Sequence, residues 1–138
     1  MLIGVPKEIK TREFRVGLVP SSVAELVRRG HQVLVETEAG QGIGADDAEY
    51  KAAGAKIASS AGDVFARAEM IVKVKEPQPK EWVQLSPKQI LFTYLHLAAD
   101  APQAFGLAES GCTAMAYETT TDDAVGLPLL ARMCEGAG

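Results

Sequence analysis

The chain reads as a single α/β domain, a Rossmann-like, mainly parallel sheet flanked by helices. Three observations predict it. Strand-like apolar runs alternate with helix-like runs along the sequence. Several helical runs carry their own start and stop residues. The chain has 138 residues, 47% hydrophobic and 23% charged, which suits one core and leaves little room for a second. Right-handed crossovers would then put helices on both faces of the sheet.

In order, strands are expected at Leu2–Val5, Gln32–Glu36, Met70–Val74, Ile90–Leu95 and Thr113–Tyr117. Helices are expected at Ser21–Arg29, Asp46–Ala53, Ala61–Ala68, about Lys80–Leu85, and Ala101–Glu109. In "PSSVAELVRRGH", Ser21 or Ser22 offers an N-cap, and Val23, Leu26 and Val27 fall at helical spacing. Arg28 and Arg29 lie at the negative end of the helix dipole, and Gly30 suits the position after the last turn. Asp46 or Asp47 can cap the second helix, which Gly54 closes. In "SAGDVFARAE", Ser60 leads, and Val64, Phe65 and Ala68 face inward.

Composition excludes several function classes. A net charge of -4 argues against nucleic acid or an acidic membrane surface as the main partner. The apolar runs are too short to span a bilayer, and "MLIGV" meets proline and charge at once, unlike a signal peptide. Cys112 and Cys134 have neither CxxC spacing nor His-rich company, so free thiols are expected, with no disulfide and no metal site. The cytoplasm is the default compartment.

The glycines of "AGQGIGADD" follow a strand, but Gly40, Gly42 and Gly44 are spaced G-x-G-x-G and not G-x-G-x-x-G. Asp46 and Asp47 would also face the phosphates, so a plain turn is expected.

Function in a parallel sheet collects at the carboxyl ends of its strands. In "MIVKVKEP", Ile71, Lys73 and Lys75 share one face, and Pro77 stops the strand, which makes Lys75 its last residue. In "ILFTYLHLA", Phe92, Tyr94 and His96 alternate along one face. Tyr117 and Glu118 end the last strand, and the first leads into the cationic loop "PKEIKTREFR". Arg12 or Arg15, Lys75, His96 and Glu118 thus gather at one edge. A bidentate Arg suits a carboxylate, a Lys can stabilise charge developing on a carbonyl oxygen, and a His can give and take a proton near neutral pH. Together they suit a 2-oxo or 2-amino acid but supply no redox centre. Lys73, further from the edge, is expected to be a structural cation or a support for the site.

These blocks carry a resemblance. "IGVPKEIKTREFRVGLVPSSVAELVRRGHQVLVETEAGQGIGADDAEYKAAGA", "IVKVKEPQPKE", "LFTYLHLA" and "AYETTTDDAVGLPLLA" resemble the N-terminal region of bacterial L-alanine dehydrogenases, in the alanine dehydrogenase/pyridine nucleotide transhydrogenase family. The resemblance covers essentially the whole chain. It implies NAD-dependent interconversion of L-alanine with pyruvate and ammonium, in a full-length homohexamer. It assigns Arg15 to the substrate carboxylate, Lys75 to substrate binding and polarising the carbonyl, and His96 to acid/base work. It leaves Tyr94 and Glu118 as supporting candidates and puts Met133 and Cys134 near NAD. Residues 1–126 would be the N-terminal domain and 127–138 the start of a helix leading to an NAD-binding domain.

Relatives of that kind continue into a Rossmann domain with a G-x-G-x-x-G fingerprint, which does not occur before Gly138. They also carry proline, serine and valine where this chain has Arg132, Cys134 and Gly136. The expectation is a shortened chain that does not turn over alone. The alternatives are the soluble NAD(H)-binding component of proton-translocating transhydrogenase, which lacks the histidine of "YLHLA", and a non-catalytic carboxylate-binding remnant.

Overall fold

The computed structural model describes residues 1–97 and 100–117. Six parallel strands form one sheet: β1 (Leu2–Val5), β2 (Gln32–Glu36), β3 (Lys56–Ala58), β4 (Met70–Val72), β5 (Ile90–Thr93) and β6 (Thr113–Ala116). Their spatial order is β3-β2-β1-β4-β5-β6. The chain therefore winds outward from β1 in one direction, returns, and winds outward from β4 in the other. The helices are α1 (Pro20–Arg28), α2 (Asp47–Ala52), α3 (Ala61–Arg67), α4 (Pro79–Trp82) and α5 (Ala101–Ser110).

Strand alternation sorts the core into two layers. Val33 and Val35 point to one face, with Val5, Val23 of α1 and Tyr50 of α2. Leu34 points to the other, with Ile71, Leu91, Val64 and Phe65 of α3, and Leu107 of α5. Each fully buried aliphatic side chain contributes roughly 1.5–3 kcal/mol, and a sheet covered on both faces accounts for strands that are apolar throughout.

The predicted caps at Asp46 and Ser60 form: their side chains accept from the Glu49 and Asp63 amides. Gly30 and Gly54 take positive φ, as helix-closing glycines do. Several expectations are corrected. α1 starts at Pro20, and its N-cap is Val19, because proline's fixed φ suits the first helical position better than either serine. β3, a three-residue edge strand, is additional. β4 and β5 end at Val72 and Thr93, short of Val74 and Leu95, so Lys75 lies beyond the strand. Pairing nonetheless persists there in single hydrogen bonds, Lys73 N to Phe92 O at 3.0 Å and Tyr94 N to Val74 O at 3.2 Å.

Candidate active site

The order of the strands reverses between β1 and β4, and in open parallel sheets this opens a crevice at the carboxyl ends of the two central strands. The loop after β1 and the segment after β4 meet there, with the segment after β5 beside them.

The loop after β1 is held by backbone contacts on both sides. A Cβ on Gly42 would lie 2.2 Å from the Phe14 carbonyl oxygen, and one on Gly17 would lie 2.4 Å from that of Val72. Glycine at 42 and 17 lets the 41–43 turn and the end of β4 press directly on the segment that carries Arg15. Gly42 of the glycine run thus packs against this loop. Asp46 caps α2 and Asp47 accepts from Thr37 Oγ1 and the Glu38 amide, so both carboxylates are engaged within the protein.

Arg15 is half exposed and binds Glu13 along one edge of its guanidinium, with Nε 2.6 Å from Oε1 and Nη2 3.1 Å from Oε2. Burial raises the Glu13 pKa, but the hydrogen bonds and charge of Arg15, with a smaller attraction from Lys75, outweigh it and hold the carboxyl below its ordinary range. The same Glu13 hydrogen bond raises Arg15, to which Glu8 and Tyr94 add. Arg12 is exposed with φ 66 in the turn, and among the described residues it makes no ion pair. Of the two arginines, Arg15 is the one whose guanidinium is oriented by a carboxylate.

Lys75 is fixed through its backbone. Its amide donates to Glu8 Oε1 at 2.7 Å, and its carbonyl accepts from the buried Thr93 hydroxyl at 2.8 Å. Its ammonium makes no ion pair among the described residues, whereas Lys10, Arg15 and Lys73 are each bound to a carboxylate.

Lys73 is buried, with its side chain 1% exposed. Its ammonium pairs with Glu8 Oε2 and lies 3.0 Å from Glu81 Oε2. A buried cation is tolerated when paired and hydrogen-bonded, which accounts for a lysine inside this sheet. Burial raises the Glu81 pKa, only partly opposed by Lys73. Glu81 Oε1 also accepts the Gln78 amide at 2.9 Å, which ties α4 to the cluster.

His96 is exposed at φ 51, in the left-handed region that few non-glycine residues occupy. Its ring stacks on Tyr94 with centroids 4.8 Å apart and planes 17° apart. Tyr117 stands edge-on to Phe92 at 4.4 Å and to Tyr94 at 6.1 Å. Burial, then the charge of Glu8, pushes the Tyr117 hydroxyl's pKa up. Glu76, ion-paired to Lys10, is raised by burial but held low overall by Lys10, with His96 adding a smaller attraction.

Of the residues singled out from sequence, Arg15 binds Glu13, Lys75 acts on the same carboxylate weakly through its charge, and His96 stacks on Tyr94. Glu118, Met133, Cys134, Arg132 and Gly136, with the linking helix of 127–138, lie outside the described residues. Glu8, Glu13, Thr93 and Glu81 were not foreseen; a lysine on a buried strand face is the one signal that calls for a buried carboxylate.

The described residues contain no helix long and apolar enough to cross a membrane and no cluster of His, Cys, Asp or Glu able to hold a metal. Comparison with known proteins is consistent along the whole chain. Residues 4–137 match the family described as alanine dehydrogenase/PNT, N-terminal domain. The chain is 53% identical over 138 residues to an alanine dehydrogenase of Halomonas elongata, covering all of this chain and 37% of that one. It is 51% identical to the alanine dehydrogenase of Bacillus subtilis, covering 36% of it. A solved L-alanine dehydrogenase superposes with a TM-score of 0.92 at 54% identity, over 96% of this chain and 37% of that one. A transhydrogenase from Sinorhizobium meliloti superposes at 0.80 with 29% identity, over 86% and 35%. The chain thus spans little more than a third of the length of these relatives, and it belongs to the alanine dehydrogenase/PNT family as its N-terminal domain.

Proposed function

We propose that the chain supplies the substrate-holding and proton-transfer part of an L-alanine dehydrogenase, which interconverts L-alanine with pyruvate and ammonium. The observation that carries this reading is Lys75: its backbone N–H donates to Glu8 and its C=O accepts from Thr93, while its ammonium has no ion pair among the described residues. A lysine whose backbone is held and whose ammonium has no ion pair among the described residues, at a sheet switch point, suits an oxygen that gains negative charge.

Glu13 occupies the Nε/Nη2 edge of Arg15, which leaves the Nη1/Nη2 edge to bind a substrate carboxylate end-on. Lys75 donates to the carbonyl oxygen as ammonia adds to the neighbouring carbon. His96 passes to this oxygen the proton that the added ammonia gives up, making a hydroxyl, and then gives it a second proton so that it leaves as water; in the reverse direction it takes both back. Tyr94, stacked on the imidazole, holds the ring in place.

NAD is the hydride partner the resemblance implies. The 40–44 turn does not fit its phosphates: Gly40 is packed against Tyr50 and Gly42 against Phe14, and both neighbouring aspartates are engaged. The reading therefore gives the nucleotide no site at this turn. NAD use and a hexameric assembly rest on the family resemblance, and a cytoplasmic location on the composition of the sequence. The transhydrogenase alternative is less well supported, at 29% identity against 54%.

The test joins residues 1–138 to the H. elongata relative in place of its matching N-terminal part and measures NADH oxidation with pyruvate and ammonium. Turnover is expected, with a loss of at least about 100-fold in the His96→Ala form. A folded chimera without turnover contradicts the proposal.

A further inference from the structure

The buried carboxylate of Glu8 has a geometry that its pairing with Lys73 does not by itself require. Its two oxygens have divided tasks. Oε2 takes the Lys73 ammonium, and Oε1 accepts two successive amides, Val74 N at 2.6 Å and Lys75 N at 2.7 Å. Both side chains are almost completely buried, at 2% exposure for Glu8 and 1% for Lys73. The regular strand has ended by this point, since β4 stops at Val72. The peptide groups of Val74 and Lys75 are therefore held largely by side chains: Glu8 from the loop after β1 and Thr93 from β5.

We infer that Glu8, locked in orientation by Lys73, is a positioning residue for Lys75, setting where its ammonium stands at the switch point. The inference rests on the proposed role of Lys75 in the reaction. Lys73 keeps the Glu8 carboxylate turned so that Oε1 meets the two amides, and Glu81 keeps Lys73 from following Glu8 alone. The lysine of the site and the lysine beneath it are thus parts of one device. One touches substrate, and the other orients the group that mounts it.

The device predicts an unusual pattern of loss and rescue. In Glu8→Gln the amide NH2 would face the Lys73 ammonium, donor against donor, so the side chain must turn and release the two N–H groups. Removing the cation as well, in Glu8→Gln/Lys73→Met, takes away that conflict and lets the amide oxygen accept both N–H groups again.

Amide hydrogen exchange on the 138-residue chain and kcat and KM in the H. elongata chimera form the test. For Glu8→Gln, exchange at Val74 and Lys75 should rise at least about 10-fold while that at Gly4 and Leu91 stays within a factor of two. The kcat should fall by roughly 10- to 100-fold, with KM for pyruvate changing less, as for a misplaced catalytic group. The double variant should recover most of the exchange protection and of kcat. A folded Glu8→Gln with unchanged exchange at Lys75 overturns the inference, as does an unchanged kcat. If Glu8→Gln does not fold, the double variant decides: protected Val74 and Lys75 amides support the inference, and failure to protect them overturns it. An inactive wild-type chimera would overturn the proposed function, while the exchange arm would still decide whether Glu8 mounts Lys75.

Discussion

Glu13 binds Arg15 side-on, Nε to Oε1 at 2.6 Å and Nη2 to Oε2 at 3.1 Å, so the arginine proposed for the substrate already carries one carboxylate. The pair orients the guanidinium and leaves its other edge open. Glu13→Gln should therefore weaken pyruvate binding by about 3- to 10-fold, the scale of one charge-assisted hydrogen bond partly replaced. Calorimetric titration of the variant checks this, and tighter binding would mean that Glu13 blocks the site instead of preparing it.

The same pair gives an acid-side signature. Folding lowers the Glu13 pKa, so its contribution to stability is present above the unfolded value of about 4.3 and is lost as pH falls through the lower folded value. Melting curves between pH 5 and 2 should fall less steeply for Glu13→Gln than for the wild type.

Gly42 sets the height of the Arg15 loop. Alanine there would place its Cβ against the Phe14 carbonyl, a backbone atom that cannot swing aside. Gly42→Ala should destabilise the fold by about 1–3 kcal/mol and weaken pyruvate binding as the 13–15 segment shifts. The combination of a thermal melt and a binding titration distinguishes this from a loop that simply re-forms, which would leave both unchanged.

Alkaline stability should depend on Tyr50. Burial, with the charge of Glu49, pushes its pKa up to about 12, and its hydroxyl donates to the Leu18 carbonyl at 2.8 Å. A raised pKa means stability that is fully present below the unfolded value of about 10 and is lost as pH climbs through about 12. Tyr117 shifts in the same direction. Tyr50→Phe should lower stability at pH 7 by about 1 kcal/mol and flatten the decline between pH 10 and 12. A decline as steep as in the wild type would remove Tyr50 from the account.

Much of this was legible in sequence, for physical reasons. β1 and β2 were readable to the residue because burial on both faces demands continuous apolar runs. The caps at Asp46 and Ser60 were readable because a short oxygen-bearing side chain satisfies helix amides locally. β3 was not, since three residues at a sheet edge carry almost no pattern. The ends of β4 and β5 were overextended because the alternation of Lys73, Val74 and Lys75 continues after regular pairing stops. The strand order that places the site between β1 and β4 is a long-range property without a local signal. Glu8 is one of several charges in "PKEIKTREFR" and carries no local mark of burial, and neither does Glu81. Only the burial of Lys73, a cation on an inward face, hinted that carboxylates must come to meet it.

The central claim is that Arg15, Lys75 and His96 form a 2-oxo acid site at the carboxyl ends of β1, β4 and β5. Its most direct test is calorimetric titration of the chain with pyruvate, comparing wild type with Arg15→Ala at equal thermal stability. The account predicts that the variant loses roughly 30- to 150-fold in affinity, about 2–3 kcal/mol for a bidentate charged contact. Equal affinity in the two proteins would contradict it.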